Sequence, residues 1–315
     1  MLQGAVPPQA CLYAQLHLCC CLMSTRKKIT LSTLRNKKRQ GQRISMLTCY
    51  DYSTARLMEE AGVDGLLVGD TYAEVCLGHP STLPATMDHM VVIAEAVRRG
   101  APTAYLIGDM PYLSYQVTPE DAIRHAGRFM AEAQCDCVKV EVDRRLVKTV
   151  ERMAAATIPV MAHLGLGPQS VPRLGGYKVQ GKDASDAVRL LEDVRLMEKA
   201  GAVSILLEAV STELAAEVTA STSLPVIGCV SGPQCDGQVV VLHDMLGFGV
   251  GHPPRAVRPY TNLHDVLIAA FRAYTKDILE GRFPALEDSV SMPPEEHEAF
   301  LLALGRSLPQ TVGRE

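Results

Sequence analysis

The 315-residue sequence has no tryptophan, and aromatic residues make up only 5% of it. Proteins that stack nucleic-acid bases need several aromatic side chains, so this class is disfavoured. A formal net charge of −4, without a basic helix interleaved with aromatics, also argues against nucleic-acid binding. The chain lacks a Cys-x-x-Cys pair, which excludes a zinc ribbon and a thioredoxin-type redox motif. No Gly-x-Gly-x-x-Gly follows the first predicted strand, which weakens the case for a dinucleotide-binding sheet.

The ten cysteines do not suggest a disulfide framework. Four of them lie in the first 21 residues, and most of the others stand singly in apolar stretches. We therefore expect a reducing, cytoplasmic location. Residues 1–22 carry no charge, and they have neither the basic start of a signal peptide nor the length of a membrane span. We expect residues 1–23 to be disordered or to derive from a wrongly assigned start codon, and we expect no membrane contact.

From residue 24 onward, short segments rich in valine and leucine alternate with amphipathic segments. A first helix is expected within residues 24–43, capped by Ser32 or Thr33. Eight strands are predicted, at residues 44–49, 65–68, 103–107, 137–142, 158–162, 203–207, 224–227 and 238–242. Helices are predicted between most of them, and a last helix at residues 263–279. This alternation predicts a (βα)₈ barrel, with an open doubly wound sheet as the alternative. The expected domains are one barrel at residues 24–284 and a tail at residues 285–315.

Five consecutive predicted strands carry polar, mostly ionisable residues at their ends. The C-terminal ends of barrel strands form one mouth, where the reacting groups of such enzymes gather. The residues expected there are Asp70, Asp109, Lys139, Glu141, His163 and Glu208. Lys139 and Glu141 are two residues apart, so both point to the same face of their strand. A purely structural salt bridge is the alternative explanation for this pair.

The expected chemistry of the mouth follows from its charges. Three carboxylates in one place repel each other unless a cation neutralises them. Because the available ligands are oxygens, we expect Mg²⁺ rather than zinc, held by Asp70, Asp109 and Glu141 directly or through water. Lys139 beside this ion would neutralise the carboxylate of a 2-oxo acid. Glu208, from a separate strand, would be the proton acceptor. The alternative for Glu208 is a charge that stabilises the N-terminus of the following helix.

Several motifs in fixed order resemble the ketopantoate hydroxymethyltransferase (3-methyl-2-oxobutanoate hydroxymethyltransferase) family. They are GLLVGDT…LGHPSTLPAT (65–86), AVRRGAP (96–102), IGDMPY (107–112), VKVE (138–141) and HLGLGPQS…GGYKVQGK (163–182). The resemblance implies a TIM barrel of the phosphoenolpyruvate/pyruvate superfamily, Mg²⁺ dependence, and a homo-oligomer, which is a decamer in known members. The implied reaction transfers a hydroxymethyl group from 5,10-methylenetetrahydrofolate to 3-methyl-2-oxobutanoate through a Mg-stabilised enolate. Its product, 2-dehydropantoate, belongs to pantothenate biosynthesis.

The resemblance also implies roles for individual residues, and these agree with the roles expected from the strand ends. Asp70, Asp109 and Glu141 would bind the metal, and Glu208 would accept the proton. The oxo acid would be bound by Asp70, Thr71, Asp109 and Lys139. His163 would contact substrate or orient a carboxylate, with a satisfied barrel histidine as the alternative.

The loop at residues 173–182 is expected to act as a lid that excludes water. Gly175-Gly176 would be its hinge, and Tyr177, Lys178 and Gln180 would be its contacts. A flexible connection without such a role is the alternative.

Four stretches depart from the family pattern while keeping the ionisable residues. Thr71 replaces a serine, Tyr72-Ala73-Glu74 replaces a small glycine-containing stretch, and Val142-Asp143 stands where glycine is usual. GCVSG at residues 228–232 replaces a GIGAG-type turn. Two other functions therefore stay open. One is a metal-dependent 2-oxo-acid carbon–carbon lyase of the same superfamily that does not use folate. The other is a non-catalytic barrel kept for assembly or regulation.

Overall fold

The computed structural model describes residues 26–176, 178–249 and 257–306. The predictions for residues 1–23 and for Tyr177 in the expected lid concern residues outside these ranges. The chain divides into two compact units, the first ending at Tyr260 and the second beginning at Thr261.

Eight parallel strands form a closed barrel in the described part of the first unit. Their bounds are β1 Ile44–Thr48, β2 Gly65–Val68, β3 Tyr105–Asp109, β4 Cys137–Glu141, β5 Val160–Gly165, β6 Ser204–Glu208, β7 Val226–Cys229 and β8 Gly237–Val240. Each strand pairs with its sequence neighbours, and β1 pairs with β8 in the register Ile44 to Gly237. The predicted (βα)₈ barrel is therefore confirmed, and the open sheet is wrong.

Helices surround this barrel or lie in its loops. Their bounds are α1 Leu31–Arg39, α2 Tyr52–Glu60, α3 Tyr72–Val75, α4 Met87–Gly100, α5 Pro119–Ala131, α6 Val147–Ala155, α7 Val171–Leu174, α8 Ala184–Lys199, α9 Thr212–Ser221 and α10 Leu242–Leu246. The short α3, α7 and α10 were not predicted, because four or five residues show too little periodicity.

The predicted cap of the first helix, Ser32 or Thr33, is wrong. Thr30 is the N-cap, and its hydroxyl accepts the backbone N–H of Thr33 at 3.3 Å. The Thr33 hydroxyl in turn accepts the N–H of Thr30 at 3.2 Å. This reciprocal pair is a capping box built from two threonines instead of the usual threonine and glutamate, so the helix starts earlier than expected.

The barrel interior is filled by side chains that alternate along each strand. They include Ile44, Met46, Leu67, Tyr105, Ile107, Cys137, Met161, Leu206, Ile227 and Val239. Because strand side chains repeat every two residues, the inward position of Cys137 also directs Lys139 and Glu141 inward. By the same two-residue repeat, the inward position of Met161 directs His163 inward. The pattern that fills the core therefore also aims the charged residues at the C-terminal mouth.

The opposite end of the barrel is held by ion pairs to the segment that contains α1. Three aspartates just before β2, β4 and β8 pair with three of its lysines: Asp64 with Lys37 at 2.6 Å, Asp136 with Lys28 at 2.5 Å, and Asp236 with Lys38 at 2.8 Å. Each aspartate also accepts a backbone N–H from a neighbouring strand. In such barrels this end is concerned with stability, whereas the mouth carries the chemistry.

The second unit contains two helices among its described residues, α11 Leu263–Leu279 and α12 Pro294–Ala303. The bounds of α11 are those predicted. The α12 helix was not predicted; it begins with Pro294 in its first turn, followed by Glu295 and Glu296, which favour a helix N-terminus. Within the residues described, we find no helix with the length and apolar character needed to cross a bilayer.

Candidate active site

The predicted strand-end residues lie together at the C-terminal mouth of the barrel. Asp70 follows β2, and the others come from β3 to β6. Five of them are buried: Asp70, Asp109, Lys139, Glu141 and His163. The side chain of Glu208 is 21% exposed, so it lies at the edge of this group.

Lys139, on β4, contacts one side chain on each of the two adjacent strands, β3 and β5. Its Nζ lies 2.7 Å from Asp109 Oδ1 and 3.2 Å from His163 Nδ1. An ammonium group has only donors, so Nδ1 of His163 must be the acceptor. His163 is then neutral with its proton on Nε2, and burial and the charge of Lys139 both lower its pKa, which agrees with that state.

The Nε2 atom of His163 faces Glu208. It lies 3.3 Å from Glu208 Oε2, although the approach is not aligned as a hydrogen bond. Lys139, His163 and Glu208 therefore form a row across β4, β5 and β6, with a proton on the atom of His163 that faces the carboxylate.

Burial disfavours the ionised form of the carboxyl groups in the mouth. Burial raises the pKa of both Asp109 and Glu141, and the charge of Lys139 only partly opposes this. Burial would lower the pKa of Lys139, but the three surrounding carboxylates raise it above its ordinary value. One ammonium group thus faces three buried carboxyl groups, and a further cation would stabilise their ionised forms.

Asp70 and Thr71 are held by contacts within the mouth. The backbone N–H of Asp70 donates to Asp109 Oδ2 at 3.0 Å. The hydroxyls of Thr71 and Tyr50 are 2.7 Å apart, so the family's serine hydroxyl has a counterpart here with a hydrogen-bond partner.

The loop after β5 encloses the carboxylate of Glu141. The backbone N–H of Gln169 donates to both carboxylate oxygens, at 3.2 Å each. A Cβ built on Gly167 would lie 2.9 Å from Glu141 Cδ and closer still to Oε2. Only a residue without a side chain therefore fits at Gly167 beside this carboxylate.

Two uncharged residues of the site, Gln169 and Tyr115, were not predicted from the sequence. Gln169 Nε2 donates to Asp70 Oδ2 at 2.9 Å, and Tyr115 Oη donates to Gln169 Oε1 at 2.9 Å. Tyr115 Oη also accepts the N–H of Glu141 at 3.0 Å. Neither residue is charged or ends a strand, so the pattern of charged strand ends did not indicate them. Gln169 was present in the sequence analysis only as part of the motif HLGLGPQS.

Two of the stretches that depart from the family pattern border the mouth. Tyr72, Ala73 and Glu74 lie in α3, directly after Thr71. Burial, together with the carboxylates of Asp70, Asp244 and Glu208, raises the pKa of Glu74, so its charge acts on the same group of residues.

The altered turn after β7 carries backbone strain. Val230 has φ 56°, in the left-handed region that a β-branched residue rarely occupies. The next residue is buried, and the Ser231 hydroxyl donates to Leu207 O at 2.8 Å. The turn is therefore anchored to β6, and the strain at Val230 is held by that contact.

The expected lid loop is attached beside β6. The backbone N–H of Gln180 donates to Ala209 O at 2.8 Å, and Gln180 O accepts the N–H of Ser211 at 3.1 Å. Gly175 and Gly176 have φ values of 67° and 124°, which suit glycine. The role of the loop as a lid remains a prediction.

The donor chemistry of the mouth fits a hard divalent cation, but its carboxylates are not grouped as a ready-made ligand set. Within the described ranges, no three His, Cys, Asp or Glu side chains are placed so that they could hold a metal ion. Lys139 pairs with Asp109, and Gln169 donates to Glu141. Oxygen donors with a net negative charge are nonetheless the ligands that Mg²⁺ prefers.

Comparison with known proteins identifies a family. A family model described as ketopantoate hydroxymethyltransferase matches residues 28–286. A Syntrophomonas wolfei subsp. wolfei protein named 3-methyl-2-oxobutanoate hydroxymethyltransferase is 46% identical over 268 residues, covering 85% of this chain and 97% of the relative. A Koribacter versatilis protein of the same name is 44% identical over 281 residues, covering 89% and 95%.

Solved structures show the same fold at low identity. Phosphoenolpyruvate phosphomutase from Streptomyces platensis subsp. rosaceus has a TM-score of 0.56 at 15% identity, covering 88% of this chain and 96% of that one. A 2,3-dimethylmalate lyase, described as a member of the PEP mutase/isocitrate lyase superfamily, has a TM-score of 0.53 at 17% identity, covering 87% and 98%. Phosphonopyruvate hydrolase in complex with oxalate and Mg²⁺ has a TM-score of 0.54 at 13% identity, covering 87% and 98%. These structures therefore share the fold of this barrel.

Proposed function

Because this chain belongs to the ketopantoate hydroxymethyltransferase family, we infer that it is a hydroxymethyltransferase that converts 3-methyl-2-oxobutanoate to 2-dehydropantoate in pantothenate biosynthesis. The one-carbon donor is 5,10-methylenetetrahydrofolate, and tetrahydrofolate is released. The observation that carries this function is the buried ammonium of Lys139 among three carboxylates at the barrel mouth. The lyase alternative is less well supported, because the 2,3-dimethylmalate lyase structure is 17% identical to this chain and shows the fold alone.

Lys139 is the proposed counter-charge for the carboxylate of the oxo acid. It is already held by Asp109 and His163, so it needs little reordering to meet an anion. Asp70, Thr71 and Asp109 would complete the contacts to the oxo acid. Since these residues come from neighbouring strands, they would hold the substrate across the mouth.

Mg²⁺ would be held by Asp70, Asp109 and Glu141, directly or through water. When bound, this ion supplies Lewis acidity that polarises the 2-oxo group and makes the C3 proton acidic. The complex of phosphonopyruvate hydrolase with oxalate and Mg²⁺ gives one precedent for this metal in the fold.

Glu208 is the proposed base that removes the C3 proton of the oxo acid. Its carboxylate is partly exposed at the mouth, and the Nε2–H of His163 faces it. After proton removal, C3 forms a bond to the methylene carbon donated by the folate. Over the whole reaction, a C3–H bond is replaced by a bond to a hydroxymethyl group, water supplies the hydroxyl oxygen, and tetrahydrofolate leaves.

Three further proposals rest on the family and on the sequence. The loop at residues 173–182 closes over the substrates and excludes water. The protein assembles as a homo-oligomer, a decamer. It works in the cytoplasm, and the six described cysteines, all free, are compatible with a reducing compartment.

A deuterium-exchange assay tests these roles. The wild-type protein is incubated with 3-methyl-2-oxobutanoate in D₂O, with and without Mg²⁺, and 5,10-methylenetetrahydrofolate is then added. We expect exchange at C3 that requires Mg²⁺, and product only after folate is added. Consumption of the oxo acid without folate would instead favour the lyase.

The variant Glu208→Gln separates the base from the binding residues. It keeps the shape of the side chain, and we expect exchange to fall by about 10²- to 10⁴-fold, the usual contribution of a general base. Binding of the oxo acid, followed by calorimetry, should be nearly unchanged. Exchange at the wild-type rate would mean that another residue removes the proton.

A further inference from the structure

We infer that Gln169 is a positioning residue of this site, which fixes the carboxylates of Asp70 and Glu141 relative to each other. The inference rests on the proposed function, in which both carboxylates serve the metal. Asp70 follows β2 and Glu141 ends β4, so these strands are separated by β3 and do not pair. A residue that contacts both side chains therefore sets a spacing that the sheet itself does not determine.

The side-chain amide of Gln169 has a partner for each of its hydrogen-bonding positions. Nε2 donates to Asp70 Oδ2 at 2.9 Å and to Met110 O at 3.0 Å. Oε1 accepts from Tyr115 Oη and from Gln116 Nε2, both at 2.9 Å. Rotating the amide by 180° would place oxygen against two acceptors, so only one orientation satisfies all four contacts.

The backbone of Gln169 holds the second carboxylate. Its N–H donates to both oxygens of Glu141, and Tyr115 holds the backbone N–H of Glu141 in turn. Gln169 is 6% exposed, so these contacts are shielded from competing water. The positions of the Asp70 and Glu141 carboxylates thus depend on Gln169, and the orientation of Gln169 depends on Tyr115.

Loss of the amide should change how the site binds a divalent ion. Residues that orient metal-binding carboxylates usually contribute about 10- to 100-fold in metal affinity or activity when they are substituted. A glutamine that served only the packing of its loop would lower the thermal stability of the protein without changing metal affinity. Metal affinity therefore distinguishes the two roles.

The test compares Gln169→Met, Tyr115→Phe and a control, Val194→Ala, in the full chain. Gln169→Met keeps the length of the side chain and removes all four of its hydrogen bonds, whereas Tyr115→Phe removes one partner of Oε1. Val194 is buried in α8, outside the mouth, so its truncation lowers stability without touching the site. The dissociation constant of Mn²⁺ is measured by electron paramagnetic resonance, with thermal unfolding and the KM and kcat for 3-methyl-2-oxobutanoate alongside.

We expect Mn²⁺ affinity to fall about 10- to 100-fold in Gln169→Met and less in Tyr115→Phe, while Val194→Ala keeps wild-type affinity despite a lower melting temperature. Wild-type Mn²⁺ affinity in Gln169→Met would overturn the inference, and so would an equal loss in Val194→Ala. A wild-type protein that binds Mn²⁺ but forms no 2-dehydropantoate would contradict the proposed function, and the comparison of affinities would still decide the role of Gln169.

Discussion

Substitution of Gly167 by alanine should damage the active site through Glu141 without straining the backbone. Gly167 has φ −107° and ψ 117°, which any L-residue adopts, so its conformation does not require glycine. The added Cβ would lie 2.9 Å from Glu141 Cδ. Carbon atoms in ordinary contact are about 3.5–4.0 Å apart, so the carboxylate or the loop must move by roughly 1 Å.

This displacement sets the expected size of the effect. A misplacement of about 1 Å in an active site can lower the rate about 100-fold, which corresponds to about 2.7 kcal/mol in the activation free energy. We therefore expect kcat/KM for 3-methyl-2-oxobutanoate to fall about 100-fold in Gly167→Ala. The protein should still fold, because replacing glycine by alanine also lowers the entropy of the unfolded chain and stabilises by about 0.4–1 kcal/mol. Steady-state kinetics and thermal unfolding by circular dichroism measure the two effects.

Gly127→Ala is the matched control. Gly127 lies inside α5, and a Cβ there would meet no atom within 4 Å. Alanine should stabilise this helix by about 1 kcal/mol and leave kcat/KM unchanged. Wild-type kcat/KM in Gly167→Ala would refute the argument that Glu141 must keep its position, and an equal loss in Gly127→Ala would show that the assay responds to any added methyl group.

Three other substitutions address the metal, the end of the barrel opposite the mouth (called the closed end below) and the strained turn at Val230. Asp109→Asn should weaken Mg²⁺ binding at least about tenfold in a calorimetric titration, and unchanged affinity would contradict its proposed role as a ligand. Asp236→Asn removes the charge that pairs with Lys38 at 2.8 Å, and the free energy of unfolding should fall by about 1.5–3 kcal/mol while kcat stays the same. A loss of kcat in that variant would mean that the closed end influences the chemistry. Val230→Gly relieves a left-handed conformation that costs about 1–2 kcal/mol, so denaturant unfolding should show a stability gain of about 1 kcal/mol after the entropy of glycine is subtracted. A loss of stability in that variant would show that Val230 is not strained.

The charged part of the site could be predicted because one periodicity determines both the core and the mouth. The inward residues of a strand repeat every two positions, so Cys137 predicts the direction of Lys139 and Glu141. Parallel strands in a closed barrel end at the same face, and this brings together charges that are far apart in the chain. The strand bounds were less well predicted. The largest difference is at β5, which was expected to end at Ala162 and ends at Gly165.

The uncharged part of the site could not be predicted from periodicity. Gln169 lies in a loop, where no periodicity gives the direction of a side chain, and its amide matters only through partners that the fold brings close. Tyr115 likewise gave no signal, because its hydroxyl acts on the backbone of a residue that is distant in the sequence. Gly167 could be recognised only once the position of the Glu141 carboxylate was known. Residues that orient the charged groups are thus identified by contacts, and contacts depend on the loops.

The two ends of the barrel use the same residue types with opposite electrostatic results. At the closed end, Asp236 has its own lysine and a backbone N–H, and Asp64 and Asp136 are similarly partnered. At the mouth, three buried carboxylates face the single ammonium of Lys139. Balanced ion pairs stabilise a fold and leave little tendency to bind anything else, whereas an unbalanced group remains costly until a cation arrives. The excess of buried carboxylates over ammonium groups among the described residues, more than the presence of acidic residues, is therefore what supports the proposal that the mouth binds a divalent ion.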